Sequence, residues 1–468
     1  MKFSKLTKTH LKEIRQRIEL ARVLVDEESL EKYSRDFTED LRFLPEVAVL
    51  AATTEEVSWV LKYASQHRIP VTPRGAGTGL SGAALPVEGG IVLSLERMNR
   101  ILEIDEKNLM AVVQPGVITE VLQTAAQDKA LFYPPDPASR GSCMLGGNLS
   151  HCAGGPRAVK YGVTKDYVYG VEAVLPTGET IHHGGKLLKN STGYNLTQLL
   201  VGSEGTLAVI TKIYLKLIPL PTHRALVLAP FDTLEKPAAA VAALFQAGLT
   251  PSACEFMERS AIEAGCKQTS LPNPFPDAQA MLLIEVDGFN QTEIDRQLEV
   301  LAQVLEQFDA KDIALAETPE RQASLWRIRR SIGEAVKTRS IYKEEDTVVP
   351  RYALPELLSG VKSICAEHGV ASVCYGHAGD GNLHVNLLKE NLSDEEWTHE
   401  LPKCITRIFE TVRKLGGTVS GEHGVGYVQR EYLPLVYGEA ELALMRRLKE
   451  AFDPVGILNP GKMLPSRG

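Results

Sequence analysis

The chain has 468 residues, 44% hydrophobic and 24% charged, with a formal net charge of −8. These are the values of an ordinary globular protein, and at about 150 residues per domain the length predicts two or three cores. The even spread of lysine and arginine argues against a nucleic-acid partner, and no apolar run reaches the roughly 18 residues of a membrane span.

The N-terminal MKFSKLTKTHLKEIRQRIEL is amphipathic and lacks the apolar centre of a secretory signal. A cytoplasmic location is therefore expected. The seven cysteines are scattered and form no C-x-x-C, which points to reduced thiols rather than structural zinc or an iron–sulfur cluster. Residues 1–40 read as an N-terminal helical arm. From Pro45 the texture changes to short apolar runs broken by glycine and proline. AVLAATTEEVSWVLKYASQHRIPVTPRG reads strand, helix, strand, with Thr53 or Thr54 as N-cap. GGIVLSL, AVVQPG, VYGVEAVLP and GTLAVITKIYLKLIP read as strands. A first, strand-rich α+β domain is expected over 41–220, ending at the Pro219–Pro221 pair. In 221–468 the strands ALVLAPF, PSACEFME and AMLLIEVDG alternate with helical stretches, a β-α-β pattern like that of ferredoxin-like domains.

Within the first domain, PRGAGTGLSG places Gly75, Gly77, Gly79 and Gly82 within eight residues. Glycine permits positive φ and close approach of the backbone to a ligand, so successive N–H groups can converge on a pyrophosphate. A Rossmann loop must open a helix. Here AALPVEGGIVLSL follows, so the loop binds phosphate in another fold or is an ordinary glycine-rich turn. YPPDPAS (133–139), GSCMLGGNLSHCAGG (141–155), KYG (160–162) and VGSEGTLAVIT (201–211) are similar in texture. A long dinucleotide would be lined by several such loops.

PRGAGTGLSG, PPDPAS, GGNLSHCAGGPRAVKYG and GSEGTLAVIT resemble the FAD-binding domain of the vanillyl-alcohol oxidase/p-cresol methylhydroxylase (PCMH) superfamily. From about residue 40 to its end the chain is similar to the family of FAD-linked D-lactate dehydrogenases, D-2-hydroxyglutarate dehydrogenases and glycolate oxidase flavoprotein subunits. The resemblance implies a two-lobed, PCMH-type FAD-binding domain followed by a ferredoxin-like-based FAD-linked oxidase C-terminal domain. It implies that FAD lies on Arg74, Gly75, Ala76, Gly77, Thr78, Gly79, Ser81 and Gly82. Further contacts are implied from Pro135, Asp136, Ser142, Gly146, Asn148, Gly154, Gly155, Tyr161, Gly162, Glu204, Gly205 and Ile210. NPGK (459–462) adds Asn459, with Lys462 beside it; a simple turn is an equal reading there. Some members attach flavin through a histidine where this chain has Thr78, so noncovalent FAD is expected.

The second constellation is Y-G-H-A-G-D-G-N-L-H-V-N (375–386). ASVCYGH and LHVNLL read as two strands turned at Asp380-Gly381. If His377 lies opposite His384, their side chains share a face about 5 Å apart, and Asn386 shares it too. GGTVSGEHGVG (416–426) reads as extended, so that Glu422 and His423 point opposite ways. Two histidines and a carboxylate suit Zn, Mn or Fe(II). The resemblance carries over His377, His384 and Glu422 as metal ligands, His423 as base, Arg329 in LWRIRRSIGEAVK as the substrate's carboxylate anchor, and Lys343, one residue out of register, as a weaker match. Gly333 stands where some relatives have a threonine.

The expected activity is oxidation of a D-2-hydroxy acid, lactate or glycolate rather than a long diacid. A metal would lower the pKa of the hydroxyl, His423 would take the proton and flavin N5 the hydride. The resemblance implies an electron-transferring flavoprotein, an iron–sulfur subunit or quinone as acceptor, and attachment to a membrane only through a partner. The alternatives are a D-2-hydroxyglutarate dehydrogenase, a non-catalytic flavin-binding subunit of a glycolate oxidase complex, and a sugar or alcohol oxidase with covalent flavin.

Overall fold

The short apolar runs between glycines and prolines form the strands of two units, seen in a computed structural model that describes residues 3–39 and 41–466. The first unit comprises Met1–Gly154, Val163–Leu220 and Glu422–Gly468; the second comprises Gly155–Gly162 and Pro221–Gly421. A linear cut at 40 and 220 would make different segments, because the chain from Glu422 onward packs with the first unit and the short stretch from Gly155 with the second.

In the first unit, β1 (Val23–Leu24), β2 (Val47–Leu50), β3 (Val71–Arg74) and β4 (Ile91–Ser94) form a sheet ordered β1-β2-β4-β3. β2, β4 and β3 are parallel, since the crossover from β2 to β3 is the helix Thr54–His67. Thr53 is its N-cap, accepting from the Glu56 N–H. Val57, Val60 and Leu61 on its inner face join Val71, Ile91 and Leu93 in one core. Each fully buried aliphatic chain there contributes about 2 kcal/mol. The N-terminal helix Lys8–Arg17 adds Ile14 to the same core.

A second sheet begins with β5 (Ile101–Asp105) and β6 (Met110–Val113). After the two-residue β7 (Leu131–Phe132) it continues with β8 (Val168–Val174), β9 (Thr180–Gly184) and β10 (Val209–Lys216). Its order is β5-β6-β10-β8-β9, all antiparallel, while β11 (Ile218–Pro219) pairs with β7.

In the second unit, one antiparallel sheet takes β12 (His223–Phe231), β13 (Ala253–Glu258), β14 (Ala280–Gly288), β15 (Ala314–Leu315), β16 (Tyr342–Val348), β17 (Ala371–Gly376) and β18 (Asn382–Leu388). The order is β15-β12-β14-β13-β17-β18-β16. Residues of β13, β14 and β17 and of the helix Pro319–Lys337 share a core, with Met257, Met281, Leu283, Ile328 and Ile332 among them. No helix among the described residues is long and apolar enough to cross a membrane.

The C-terminal segment is tied into the first unit by one carboxylate. Asp453, 2% exposed, accepts from the N–H groups of Gly456, Ile457 and Leu458 at 2.9, 3.1 and 2.8 Å and from Lys449 Nζ at 2.5 Å. This turn aligns Leu458 beside Val71 of β3. Asn459 then donates to the carbonyls of Ala83 and Glu204 and accepts from Lys462 Nζ. Burial pushes the Lys462 ammonium down to about 7, against the opposing pull of Asp36 and Glu204.

Two outcomes follow from this segment. Asp453→Ala leaves three N–H groups without their acceptor and removes the counter-charge of the half-buried Lys449, so it should cost about 3 kcal/mol or more, read as a lower urea midpoint. For Lys462, both folded and unfolded chains are protonated below pH 7, and the folded state carries the cost of a buried cation. Between the folded value of about 7 and the unfolded 10.5, the unfolded chain binds more protons, so this group's contribution to stability improves as pH rises. The stability advantage of Lys462→Met over the parent should therefore shrink from pH 7 to pH 10, by up to about 1.4 kcal/mol per pH unit, in denaturation curves at each pH.

Candidate active site

The glycine loop leaves the C-terminal end of β3, where parallel sheets present their ligand crevice. Its backbone from Gly75 to Leu80 is partly exposed, while Arg74 is buried. The Arg74 guanidinium donates to the carbonyls of Lys32, Arg35 and Ala84, so it pins the loop from behind. A Cβ on Gly77 (φ +74°) would collide with that guanidinium. The outer glycines behave differently. A Cβ on Gly75 would meet only Met144 at 3.5 Å and the Gly147 nitrogen at 3.9 Å, one on Gly79 only His151 at 3.8 Å, and one on Gly147 nothing. Loop 75–79 and helix Leu145–His151 thus lie side by side with little covering their backbone, an arrangement that fits an anionic dinucleotide. Ala76, Thr78 and Ser81 lie on this loop, and Gly82 closes it at φ +73°.

The other first-unit residues divide by role. Gly146 is a packing glycine, since its Cβ would strike Pro115, and the Asn148 amide donates to Thr119 Oγ1 at 2.5 Å. The Pro135 carbonyl accepts from Gln123, Asp136 is buried, and Ser142 is exposed with its hydroxyl on the Ser139 carbonyl. Gly205 (φ +65°) packs against Pro73, and Ile210 lies in β10. The Glu204 carboxylate accepts from the N–H groups of Val425 and Gly426, both at 2.7 Å. It thereby shapes the segment that carries Glu422 and His423. That segment is a run of bends rather than the expected extended strand, because its amides bond to a side chain instead of a neighbouring strand. The His423 carbonyl lies 3.1 Å from His151 Nδ1, and Gly154 is bare where a Cβ would lie 2.9 Å from Glu422 Oε2. Gly155, Tyr161 and Gly162 belong to the second unit, where the Tyr161 hydroxyl donates to Asp287 at 2.7 Å.

In the second unit the polar residues gather on one face of the sheet. β17 and β18 pair with Tyr375 opposite His384 and Val373 opposite Asn386; β16 places Glu344 opposite Asn386 and Asp346 opposite His384. His377 is therefore not paired with His384 as expected. It begins the wider turn 377–381, closed by Gly381 at φ +79°, and its ring still lies 5.2 Å from that of His384, perpendicular to it. His384 Nδ1 is 3.7 Å from both Glu344 and Asp346. Asp346 also receives the N–H of Gly421 and the amide of Asn382.

Arg329, 7% exposed, reaches this face from helix Pro319–Lys337 and lies over the Tyr375 ring at 4.9 Å. Gly333, one turn on, is bare where a Cβ would come within 3.2 Å of the Tyr375 hydroxyl. Burial raises the Tyr375 pKa well above its usual value, with the Glu344 charge adding to it, so the phenol stays protonated. Asn386 is fully buried, and neither atom of its amide finds a well-formed hydrogen bond among the described residues. Such an amide in a polar pocket suits a bound ligand. Lys343 does not join this group. Side chains alternate along β16, and Lys343 lies opposite Leu387, on the other face. Glu344 stands in the position facing Asn386 instead.

The reading of the sequence missed Glu255. It is 0% exposed in β13, with both carboxylate oxygens 2.9 Å from His377 Nδ1 and Oε2 at 2.6 Å from Arg329. Burial raises its pKa, but His377 and Arg329 outweigh that and hold it low, so it is ionised. The only signal was a carboxylate in the apolar run ACEFME. The donor set His377 and His384 amid carboxylates suits a borderline divalent cation.

Residues 220–463 match the family of FAD linked oxidases, C-terminal domain, and residues 45–184 match the FAD binding domain. The chain is 40% identical over 432 residues to a glycolate oxidase subunit of Bacillus subtilis, with 92% of this chain and 91% of that one covered. It is 38% identical to a D-lactate dehydrogenase of Anaerostipes hadrus (94% of each chain covered) and 36% identical to a D-2-hydroxyglutarate dehydrogenase of Stutzerimonas stutzeri (96% and 98% covered). Among solved structures, p-cresol methylhydroxylase superposes with a TM-score of 0.81 at 20% identity, covering 97% and 95% of the two chains, which establishes the common fold. The chain belongs to the FAD-linked oxidase family and is an FAD-dependent oxidoreductase built from a PCMH-type FAD-binding domain and an FAD-linked oxidase C-terminal domain.

Proposed function

We propose that the protein is a metal-assisted dehydrogenase that oxidises a short D-2-hydroxy acid, D-lactate or glycolate, to the 2-oxo acid. The observation that carries this reading is the polar face of the second unit: two histidines with rings 5.2 Å apart, a buried arginine, and a fully buried Asn386 amide with no well-formed hydrogen bond among the described residues. In this reading His377, His384 and Glu422 hold a divalent metal, Zn, Mn or Fe, and FAD lies noncovalently on the glycine loop. When bound, FAD accepts the electron pair and the metal lowers the pKa of a coordinated hydroxyl.

The chain's own residues do the rest. Arg329 offers a planar fork for the substrate carboxylate. Asn386 can donate to and accept from the substrate's oxygens, which satisfies its buried amide. A ring nitrogen of His423 takes the hydroxyl proton. Glu344, on the same face as Asn386, sets a negative charge where a second substrate carboxylate would have to come. Like charges in a dry site repel strongly, which favours the monocarboxylates over 2-hydroxyglutarate. The electrons leave to an electron-transferring flavoprotein, an iron–sulfur subunit or quinone. That one relative is named as a subunit of glycolate oxidase supports a partner chain in this role.

Anaerobic bleaching of the flavin by a panel of D- and L-2-hydroxy acids tests the substrate. D-lactate or glycolate should reduce it with kcat/KM at least about tenfold above D-2-hydroxyglutarate, a difference of about 1.4 kcal/mol. In the same assay His384→Ala should lose about 100-fold or more in turnover with flavin still bound; full turnover would refute the metal's role. Separately, acid precipitation should leave the yellow colour in the supernatant, as Thr78 gives flavin no histidine to join.

A further inference from the structure

Glu255 sits where a carboxylate should not be. Its strand neighbour on the same face is Met257, its partner across the ladder is Leu283, and both belong to the apolar core. Removing a carboxylate from water costs several kcal/mol unless it is paired and hydrogen-bonded. Two groups compensate it, and both belong to the proposed active site. His377 comes from the turn after β17, and Arg329 from the helix Pro319–Lys337. An ionised carboxylate only accepts hydrogen bonds. With both oxygens 2.9 Å from His377 Nδ1, that nitrogen carries a proton, and in the neutral ring the lone pair is then on Nε2.

We propose that Glu255 is a positioning residue that acts through His377 and Arg329 together. It fixes the His377 tautomer and ring plane so that Nε2 faces a divalent cation. It also anchors one edge of the Arg329 guanidinium, so that the other edge stays aimed at the substrate's carboxylate. A carboxylate behind a ligating histidine raises the basicity of the ligand and orients it. The distinctive feature here is that one carboxylate serves both groups, so the metal ligand and the anion anchor are set by the same atoms. This inference rests on the reading of His377 as a metal ligand.

The test uses the flavin-loaded protein, stripped of metal by a chelator and titrated with Co(II). Affinity is followed by the d–d absorption and by calorimetry. Glu255→Gln keeps the size of the side chain but removes the charge and adds a donor. It should weaken Co(II) binding about 10- to 100-fold while flavin content is unchanged. Glu255→Asp keeps the charge that compensates Arg329. It should hold its flavin and weaken Co(II) binding by less, which covers the case in which the Gln variant fails to fold. A purely structural role would lower thermal stability and leave the affinity of the folded, flavin-loaded fraction at the parent value. Parent-like affinity in either variant overturns the proposal. If the parent itself binds no Co(II), the metal reading falls first, and the two failures are distinguishable.

Discussion

A carboxylate buried in an apolar core, Glu255, sets the terms for the polar face of the second unit. In a low-dielectric interior an ionised group survives only if every oxygen is met. The fold meets this demand by bringing a histidine and an arginine to the same side chain from two different elements. That demand fixes where the turn after β17 can lie and which way the helix Pro319–Lys337 can face. Tyr375, beneath Arg329, and Asn386, two positions along β18 from His384, then take their places by strand alternation alone.

The first unit uses carboxylates on another partner, its own backbone. Asp453 gathers three N–H groups and Glu204 gathers two. In each case an irregular segment is held in one shape by charge-assisted bonds. Arg74 does the converse and gathers three carbonyls behind the glycine loop. Arg74 thereby supports the glycine loop from its inner side.

Much of this was legible in the residues. Alternation and glycine–proline punctuation located β4, β6, β8 and β10, and the helical spacing after Thr53 located the helix that makes the first sheet parallel. The dense glycine motifs carried the family. The hairpin around His377 and His384 was found in outline, but its register was not. A two-residue turn at Asp380-Gly381 would have placed the histidines opposite each other. Instead the turn begins at His377 itself, because Tyr375 pairs with His384. Lys343 was misplaced for a related reason. A shift of one residue in a strand reverses the face of the side chain, and only the pairing with β18 shows that Glu344 rather than Lys343 looks toward Asn386.

The sequence by itself determined the local elements, the glycine positions that the backbone requires and the inventory of chemical groups, because these depend on near neighbours and on residue type. The tertiary structure decided which groups meet. Glu255 and His377 are separated by 122 residues, and nothing in the run ACEFME says that its carboxylate will face a histidine. Strand order, register and the facing of one helix decide that contact. They are set by the packing of the whole sheet, a long-range condition that short-range pattern does not encode.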